Sequence, residues 1–92
     1  MTREEVLKII EDARAKGEPA DLYCANLYGV DLCNANLTGV ILFGAYLSFA
    51  NLSGANLSYA DLRGAILTGA NLTDAKLTGA KITIGNREIT LP

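Results

Sequence analysis

A leucine recurs every five residues through most of the chain. The period runs from Leu22 to Leu77 in twelve units, and Ile82 takes the same place in a thirteenth. Two residues before each of these positions lies a small apolar residue, which is Ala in eleven units and Val in two. A five-residue step would spread the leucines around every face of an α-helix, and along a strand it would send them alternately to opposite faces. The period therefore predicts short segments that each end in a corner, so that every leucine points into one interior.

The polar positions of the units are as regular as the leucines. Asn or Asp precedes the leucine in eight units, Ser or Thr follows it in eight, and Gly closes seven. Asn and Asp hydrogen-bond to nearby backbone at turns, and Gly accepts the positive φ of a tight corner. Corners built on such residues are consistent with a narrow, many-sided tube, in which one large and one small side chain fill each side.

Over residues 20–82 the units resemble those of the pentapeptide repeat family, whose pattern is A(N/D)LxG. The resemblance implies an all-β solenoid, a right-handed quadrilateral β-helix with four units in each coil. In such a coil the leucine and the small residue face the interior, and the other three positions of each unit face outward. The thirteen units would then make about three coils.

Residues 3–16 have the apolar spacing of an amphipathic helix. Thr2 and Glu5 form a capping-box signature before it, and Gly17 ends it. We expect residues 1–19 to form a helical cap and linker over the first coil, because the ends of a solenoid expose apolar side chains and unpaired backbone. A helix that binds a partner is the alternative. The apolar stripe consists of Val6, Ile9, Ile10 and Ala13.

The C-terminal segment has alternating runs on both sides of Gly85-Asn86. This arrangement predicts a hairpin that closes the last coil, although residues 87–92 could also run as a single edge strand. We therefore assign residues 20–84 to the repeat β-helix and residues 85–92 to a C-terminal hairpin or edge cap. Together with residues 1–19 they form one domain.

Composition excludes several classes of function. The chain has 92 residues and a net charge of −2, so it offers no basic face for nucleic acid. Its N-terminus begins a charged helix rather than a signal peptide, which predicts a cytoplasmic location. Residues 32–60 carry no charge, but the Asn residues that recur there would be costly in lipid, so we expect no membrane span.

Candidate catalytic and metal-binding chemistry is sparse. The chain has no His, which excludes a Ser–His or Cys–His nucleophile pair, and it has no set of donors for zinc. Cys24 and Cys33 should face outward from different sides as free thiols. The best carboxylate pair is Asp21 and Asp61, two coils apart on one side at ~9.6 Å, near the outer limit for an inverting glycosidase. A carbohydrate-active enzyme is therefore an alternative, but we expect no enzyme and no cofactor.

The outward positions break the pattern on two adjacent sides. With four units in a coil, the third and fourth sides are polar apart from Cys33 and Tyr59. The first and second sides gather seven large apolar residues, and clusters of that kind mark interaction sites. We expect this surface to bind a protein partner or a second copy of the chain as a homodimer. Its members are Tyr23, Tyr28, Ile41, Phe43, Tyr46, Phe49 and Ile66.

The function that these observations favour is that of a non-catalytic interaction or scaffold module. The resemblance also brings in a further alternative, because some pentapeptide repeat proteins mimic duplex DNA and inhibit DNA gyrase. That mimicry needs a long acidic rod, whereas this chain is short and nearly neutral.

Overall fold

The computed structural model describes residues 1–92, with one helix and two strands flanking the repeats. Helix α1 spans Arg3–Ala15, strand β1 spans Lys81–Ile84 and strand β2 spans Arg87–Thr90. The predicted capping box is present: the Thr2 hydroxyl accepts from the Glu5 N–H, and the Glu5 carboxylate accepts from the Thr2 N–H. These bonds hold the pKa of Glu5 below its usual value. The helix falls short of the length and apolar character that crossing a membrane requires.

Every isolated β-bridge joins residues twenty apart, so four five-residue units complete one coil. Side 1 holds the units that begin at residues 20, 40, 60 and 80, and sides 2, 3 and 4 follow at steps of five residues. On side 1 the Leu22 N–H donates to the Ile41 carbonyl, and the Ile41 N–H donates to the Ala20 carbonyl. The same two bonds recur on the other sides. Adjacent coils are therefore parallel and in register, which is the arrangement that turns every central leucine inward.

Each unit ends in a tight turn. The N–H of the residue that opens the next unit donates to the carbonyl of the central leucine, as from Ala25 to Leu22 at 3.1 Å. The residue that closes the unit has positive φ, which is the signature of a type II turn. Glycine fills most of these corners, but five are filled by Cys24, Asn34, Phe49, Tyr59 and Asp74.

The Asn or Asp before the leucine has a definite structural role. In all eight units that contain it, its Oδ1 accepts a hydrogen bond from the N–H two residues later, at 3.0 to 3.2 Å. The coil ladder leaves that N–H without a backbone acceptor. The repeated Asn or Asp therefore satisfies a backbone donor at each corner, which explains why this residue recurs.

The leucines form one continuous apolar core. Those from Leu22 to Leu62 are at most 3% exposed, and Val6 and Ile10 of α1 belong to the same cluster. In the last coil Leu67, Leu72 and Leu77 are only partly buried. The core is thus closed at the end that carries α1, called the lower end, and more open at the other, called the upper end.

Two arginines of α1 satisfy backbone carbonyls at the lower end. Arg3 donates to the carbonyls of Asp31 and Cys33 at 3.2 and 3.0 Å. Arg14 donates in the same way to the first unit of side 4, to the carbonyls of residues 36 and 38. In the coils above, the equivalent carbonyls accept from the coil beneath, so the arginines replace the missing lower coil.

The C-terminal segment forms a hairpin. Strand β1 continues side 1 above the third coil, and β2 pairs antiparallel with it, placing Ile82 opposite Ile89. Gly85 turns the chain with a φ of +62°. After β2 the Leu91 N–H donates to the Ala80 carbonyl and its carbonyl accepts from the Gly79 N–H. The hairpin begins at Lys81, so its first strand lies within the segment that the sequence assigned to the repeats.

Candidate interaction surface

A column of flat side chains runs up side 1. Tyr23 and Phe43 stack with ring centroids 5.7 Å apart and an interplanar angle of 14°. The Arg63 guanidinium carbon lies 5.3 Å from the Phe43 centroid. These three residues occupy the same position in successive coils, where the coil spacing of ~4.8 Å suits stacking of rings and guanidinium groups.

Arg63 is fixed over the ring by two carboxylates. It donates to both oxygens of Asp61 at 2.8 Å and to the Glu88 carboxylate at 3.0 Å. The hydrogen bond from Arg63 holds the pKa of Asp61 below its usual value, and the bonds to Asp61 and then Glu88 raise the pKa of Arg63. Arg63 was not among the residues predicted for this surface. Arg63 follows Phe43 by twenty residues, and this spacing of one coil predicts that the two side chains lie in the same column.

A second column of rings lies on side 2. Tyr28 contacts Tyr46 with centroids 5.7 Å apart, and contacts Phe49 in an edge-on arrangement at 5.6 Å. Tyr46 and Ile66 are paired by a β-bridge and so lie in one column. A Cβ atom added to Gly69 would lie 2.5 Å from two carbons of the Phe49 ring, so this ring covers the glycine one coil above.

All seven predicted residues lie on sides 1 and 2, and together they are called the aromatic face. Although the rings pack on one another along their columns, they stay at the surface. Five of the seven are 42% to 61% exposed, and Ile41 and Phe43 are half-buried. Tyr59, on the otherwise polar side 4, is also exposed and covers Gly79. Mutual packing therefore orders the aromatic face without burying it.

The aromatic face lacks the hydrogen bonds that Asn and Asp make elsewhere. Ile41, Tyr46 and Ile66 take the place of the Asn or Asp in their units. As a result the N–H groups of Phe43 and Ser48, like that of residue 68, have no acceptor in the chain. Each such bond is worth about 0.5–1.5 kcal/mol. The apolar residues thus replace side chains that would have stabilised the corners.

The carboxylate pair proposed for catalysis is engaged in the fold. Asp21 and Asp61 lie on side 1 two coils apart, linked through bridges to Ile41. Each accepts from the N–H two residues later, and Asp61 is also paired with Arg63. The lowered pKa keeps Asp61 ionised, which does not suit a general acid. Arg63 also donates to both Asp61 oxygens, so neither oxygen is free to act as a general base. This arrangement disfavours the glycosidase alternative.

The remaining reactive groups form no common site. Cys24 is exposed and Cys33 is partly buried, and both are free thiols. The Ser53 hydroxyl donates to the Cys33 sulfur at 3.4 Å. One surface cavity of about 190 Å³ lies beside the hairpin, lined by Arg63, Lys81, Glu88, Ile89 and Thr90. Because Arg63 is already paired with carboxylates there, the cavity offers no free charge from that residue.

Comparison with known proteins agrees with this architecture. The sequence model described as "Pentapeptide repeats (8 copies)" matches residues 20–58 and 45–83. A pentapeptide repeat protein (Rfr23) from the cyanobacterium Cyanothece 51142 is 52% identical, with a TM-score of 0.67 over 68% of this chain and 43% of that protein. A pentapeptide repeat protein from the thylakoid lumen of Arabidopsis thaliana is 32% identical, with a TM-score of 0.68 over 75% of this chain and 50% of that one.

A third solved structure, that of alr5209 from Nostoc PCC 7120, is 43% identical with a TM-score of 0.53 over 84% of this chain and 74% of that one. The chain thus spans half or less of the Cyanothece and Arabidopsis proteins. A search of functionally curated proteins found no match. The family match and the twenty-residue coil agree, and the chain belongs to the pentapeptide repeat family, whose members adopt a right-handed quadrilateral β-helix.

Proposed function

We propose that this protein is a non-catalytic interaction module whose aromatic face binds a protein partner. One observation carries the proposal: Ile41, Tyr46 and Ile66 stand where eight other units place Asn or Asp, and they add apolar surface to the aromatic face at the expense of corner hydrogen bonds. Residues that weaken a fold while exposing apolar surface are typical of functional sites. In this proposal about three coils form a rigid body, and α1 caps its lower end.

The chemistry of the aromatic face defines the partner. Tyr23, Tyr28 and Tyr46 combine an apolar ring with a hydroxyl, so they can bury area and still form hydrogen bonds at the rim. The rings are held on a rigid ladder, so little conformational entropy is lost on binding. Arg63 is already paired with carboxylates, and it contributes a flat surface rather than a free charge. The partner is therefore an apolar protein surface with polar groups at its edge.

The test restores the repeat pattern on the aromatic face. The variant I41N/Y46N/I66N places Asn where eight other units carry Asn or Asp, so we expect the fold to tolerate the change. Asn is chosen at position 41 because an Asp there would lie between Asp21 and Asp61. We expect the wild-type chain to capture a partner from an extract of its source cells and the variant to lose that capture. The control T78N places the same residue type on polar side 4 and should keep the capture. Equal capture by all three proteins, or none by the wild type, would refute the proposal.

The cellular location remains a prediction from the sequence. We propose a cytoplasmic protein, a location that suits the two free thiols of Cys24 and Cys33. The Arabidopsis relative is a protein of the thylakoid lumen, and that location is a property of the relative.

A further inference from the structure

The upper end of the coil stack is uncovered on sides 2, 3 and 4. One coil lower, the Leu52 N–H donates to the Asn71 carbonyl, and Leu52 itself is fully buried. In the last coil, five N–H groups and three carbonyl groups in the equivalent positions have no partner in the chain. They belong to Leu67, Gly69, Leu72, Asp74 and Leu77, and to Ala65, Ala70 and Ala75 respectively. With the half-buried leucines below them, these groups form the floor of an open recess.

Side 1 rises above this floor as a wall two strands high. Strand β1 pairs with the third coil, and β2 pairs with β1 on its far side. Ile82 stands at the inward leucine position, and its partner Ile89 shares that face, so both are half-buried against the recess. The N–H and carbonyl groups of Glu88 and Thr90 point away from β1 and have no partner in the chain. The wall therefore ends in an unpaired strand edge.

The unpaired edge of β2 matches the unpaired edge of side 3. Within the stack, the Ile41 N–H donates to the Ala20 carbonyl, and the Ile41 carbonyl accepts from the Leu22 N–H. Two residues later, the carbonyl of residue 43 accepts from the N–H of Cys24 at the corner. In β2, the N–H and carbonyl of Glu88 correspond to those of Ile41, and the carbonyl of Thr90 corresponds to that of residue 43. Side 3 offers the complementary set, which is the Ala70 carbonyl and the N–H groups of Leu72 and Asp74.

The side chains alternate in step with these backbone groups. Placing Glu88 beside Asn71 also places Thr90 beside Thr73, all four pointing outward. Ile89 then lies over Leu72, and both point inward. The direction of the chain agrees as well, because β2 runs opposite to side 1 and so does side 3. The same parallel ladder that joins the coils can therefore join β2 of one molecule to side 3 of another.

We propose that two copies of the chain join at their upper ends, each laying β2 on side 3 of the other. A two-fold axis along the direction of side 1 brings side 1 of one copy over side 3 of its partner. This rotation keeps the paired strands parallel. The Ile82–Ile89 surface of one copy then faces that of the other across a shared interior. The lower ends are covered by α1, whose Arg3 and Arg14 occupy the free carbonyls, so the contact closes as a dimer and cannot propagate into a fibre.

The first test compares a residue of β2 with a residue of side 4 that lies outside the contact. We expect light scattering across a concentration series to show a dimer. The variant I89K, which places a charge in the shared interior, should raise the dimer dissociation constant on the order of tenfold or more. The control T78K places the same charge on the outward face of side 4, which stays uncovered in the dimer, and should leave the dissociation constant within about twofold. A wild-type monomer at every concentration, or equal loss of dimer in both variants, would overturn the proposal.

The second test uses the wild-type chain alone, so it does not depend on how I89K folds. Amide hydrogen exchange should show protection at Leu72, Asp74 and Glu88, while the N–H groups of Leu67 and Leu77 exchange freely. Protection at Glu88 without Leu72 would indicate pairing between two β2 edges and would contradict the proposal. A dimer that is lost in I41N/Y46N/I66N but kept in I89K would assign self-association to the aromatic face instead.

Discussion

Gly69 gives the sharpest test of how the aromatic face is built. Its φ is +72°, and a Cβ atom there would lie 2.5 Å from Cδ1 and Cε1 of the Phe49 ring. Gly64 closes the preceding unit of the same coil with a φ of +70°, and its Cβ would meet nothing closer than the Gly44 backbone at 3.8 Å. Replacing each glycine by alanine therefore imposes the same backbone strain, but only Gly69→Ala displaces a side chain.

The expected magnitudes follow from these contacts. Left-handed backbone costs a non-glycine residue about 1–2 kcal/mol, which is the whole expected effect of Gly64→Ala. Gly69→Ala carries the same cost and also forces the Phe49 ring from its place, losing its edge-on contact with Tyr28, worth about 0.5–1.5 kcal/mol. The shift of the ring into a strained rotamer adds about 0.5–1.5 kcal/mol. We therefore expect Gly69→Ala to destabilise the chain by about 2–5 kcal/mol.

The assay is urea denaturation of both variants, repeated in a Phe49→Gly background. Removing the ring should reduce the effect of Gly69→Ala to that of Gly64→Ala, so the double-mutant cycle yields a coupling of about 1–3 kcal/mol. Equal destabilisation by the two alanines in the wild-type background would refute the reasoning. So would a coupling energy of zero, since the ring would then not lie over Gly69.

Three further predictions concern the core, the corners and the ion pair. Leu52→Ala, at a fully buried site, should cost about 2–5 kcal/mol in urea denaturation, and the matched Leu72→Ala at the open end should cost less. Asn51→Ala should cost about 0.5–1.5 kcal/mol in the same assay, because it removes the acceptor of a corner N–H, and an unchanged midpoint would contradict that role. Arg63 lowers the folded-state pKa of Asp61 below the ordinary 3.8, so this carboxylate contributes stability above that pH and loses it as the pH falls through the folded-state value. Thermal melts from pH 6 to 2 should show a weaker acid dependence in Asp61→Asn, and identical profiles would contradict the role of the pair.

The periodicity of the sequence was sufficient to predict the coil register and the side of the coil on which each outward residue lies. A five-residue unit repeated four times returns each position above itself, so Tyr23 lies under Phe43 and Tyr46 under Ile66. The corners carry a further signal that single units do not show. Phe49 is followed by glycine twenty residues later, because the Phe49 ring occupies the space that a Cβ atom at that position would need. The side chains of Tyr59, Cys24 and Asn34 cover a glycine one coil above in the same way.

Other features depend on tertiary placement that no local pattern encodes. The roles of Arg3 and Arg14 follow from how α1 lies across the first coil, and on the helix they read only as ordinary surface charges. The open upper end was also missed, because Leu72 belongs to a unit as regular as those beneath it. Only the absence of a coil above it leaves this leucine half-buried.

The free energy of unfolding of I41N/Y46N/I66N tests the central claim most directly. If these three residues are present for binding, the corner hydrogen bonds restored by Asn offset the lost Tyr28–Tyr46 contact and the lost packing of the two isoleucines. The free energy of unfolding then stays within about 1 kcal/mol of the wild-type value. A loss of about 3 kcal/mol or more, as core truncations produce, would show that these residues hold the coils together and would contradict the account.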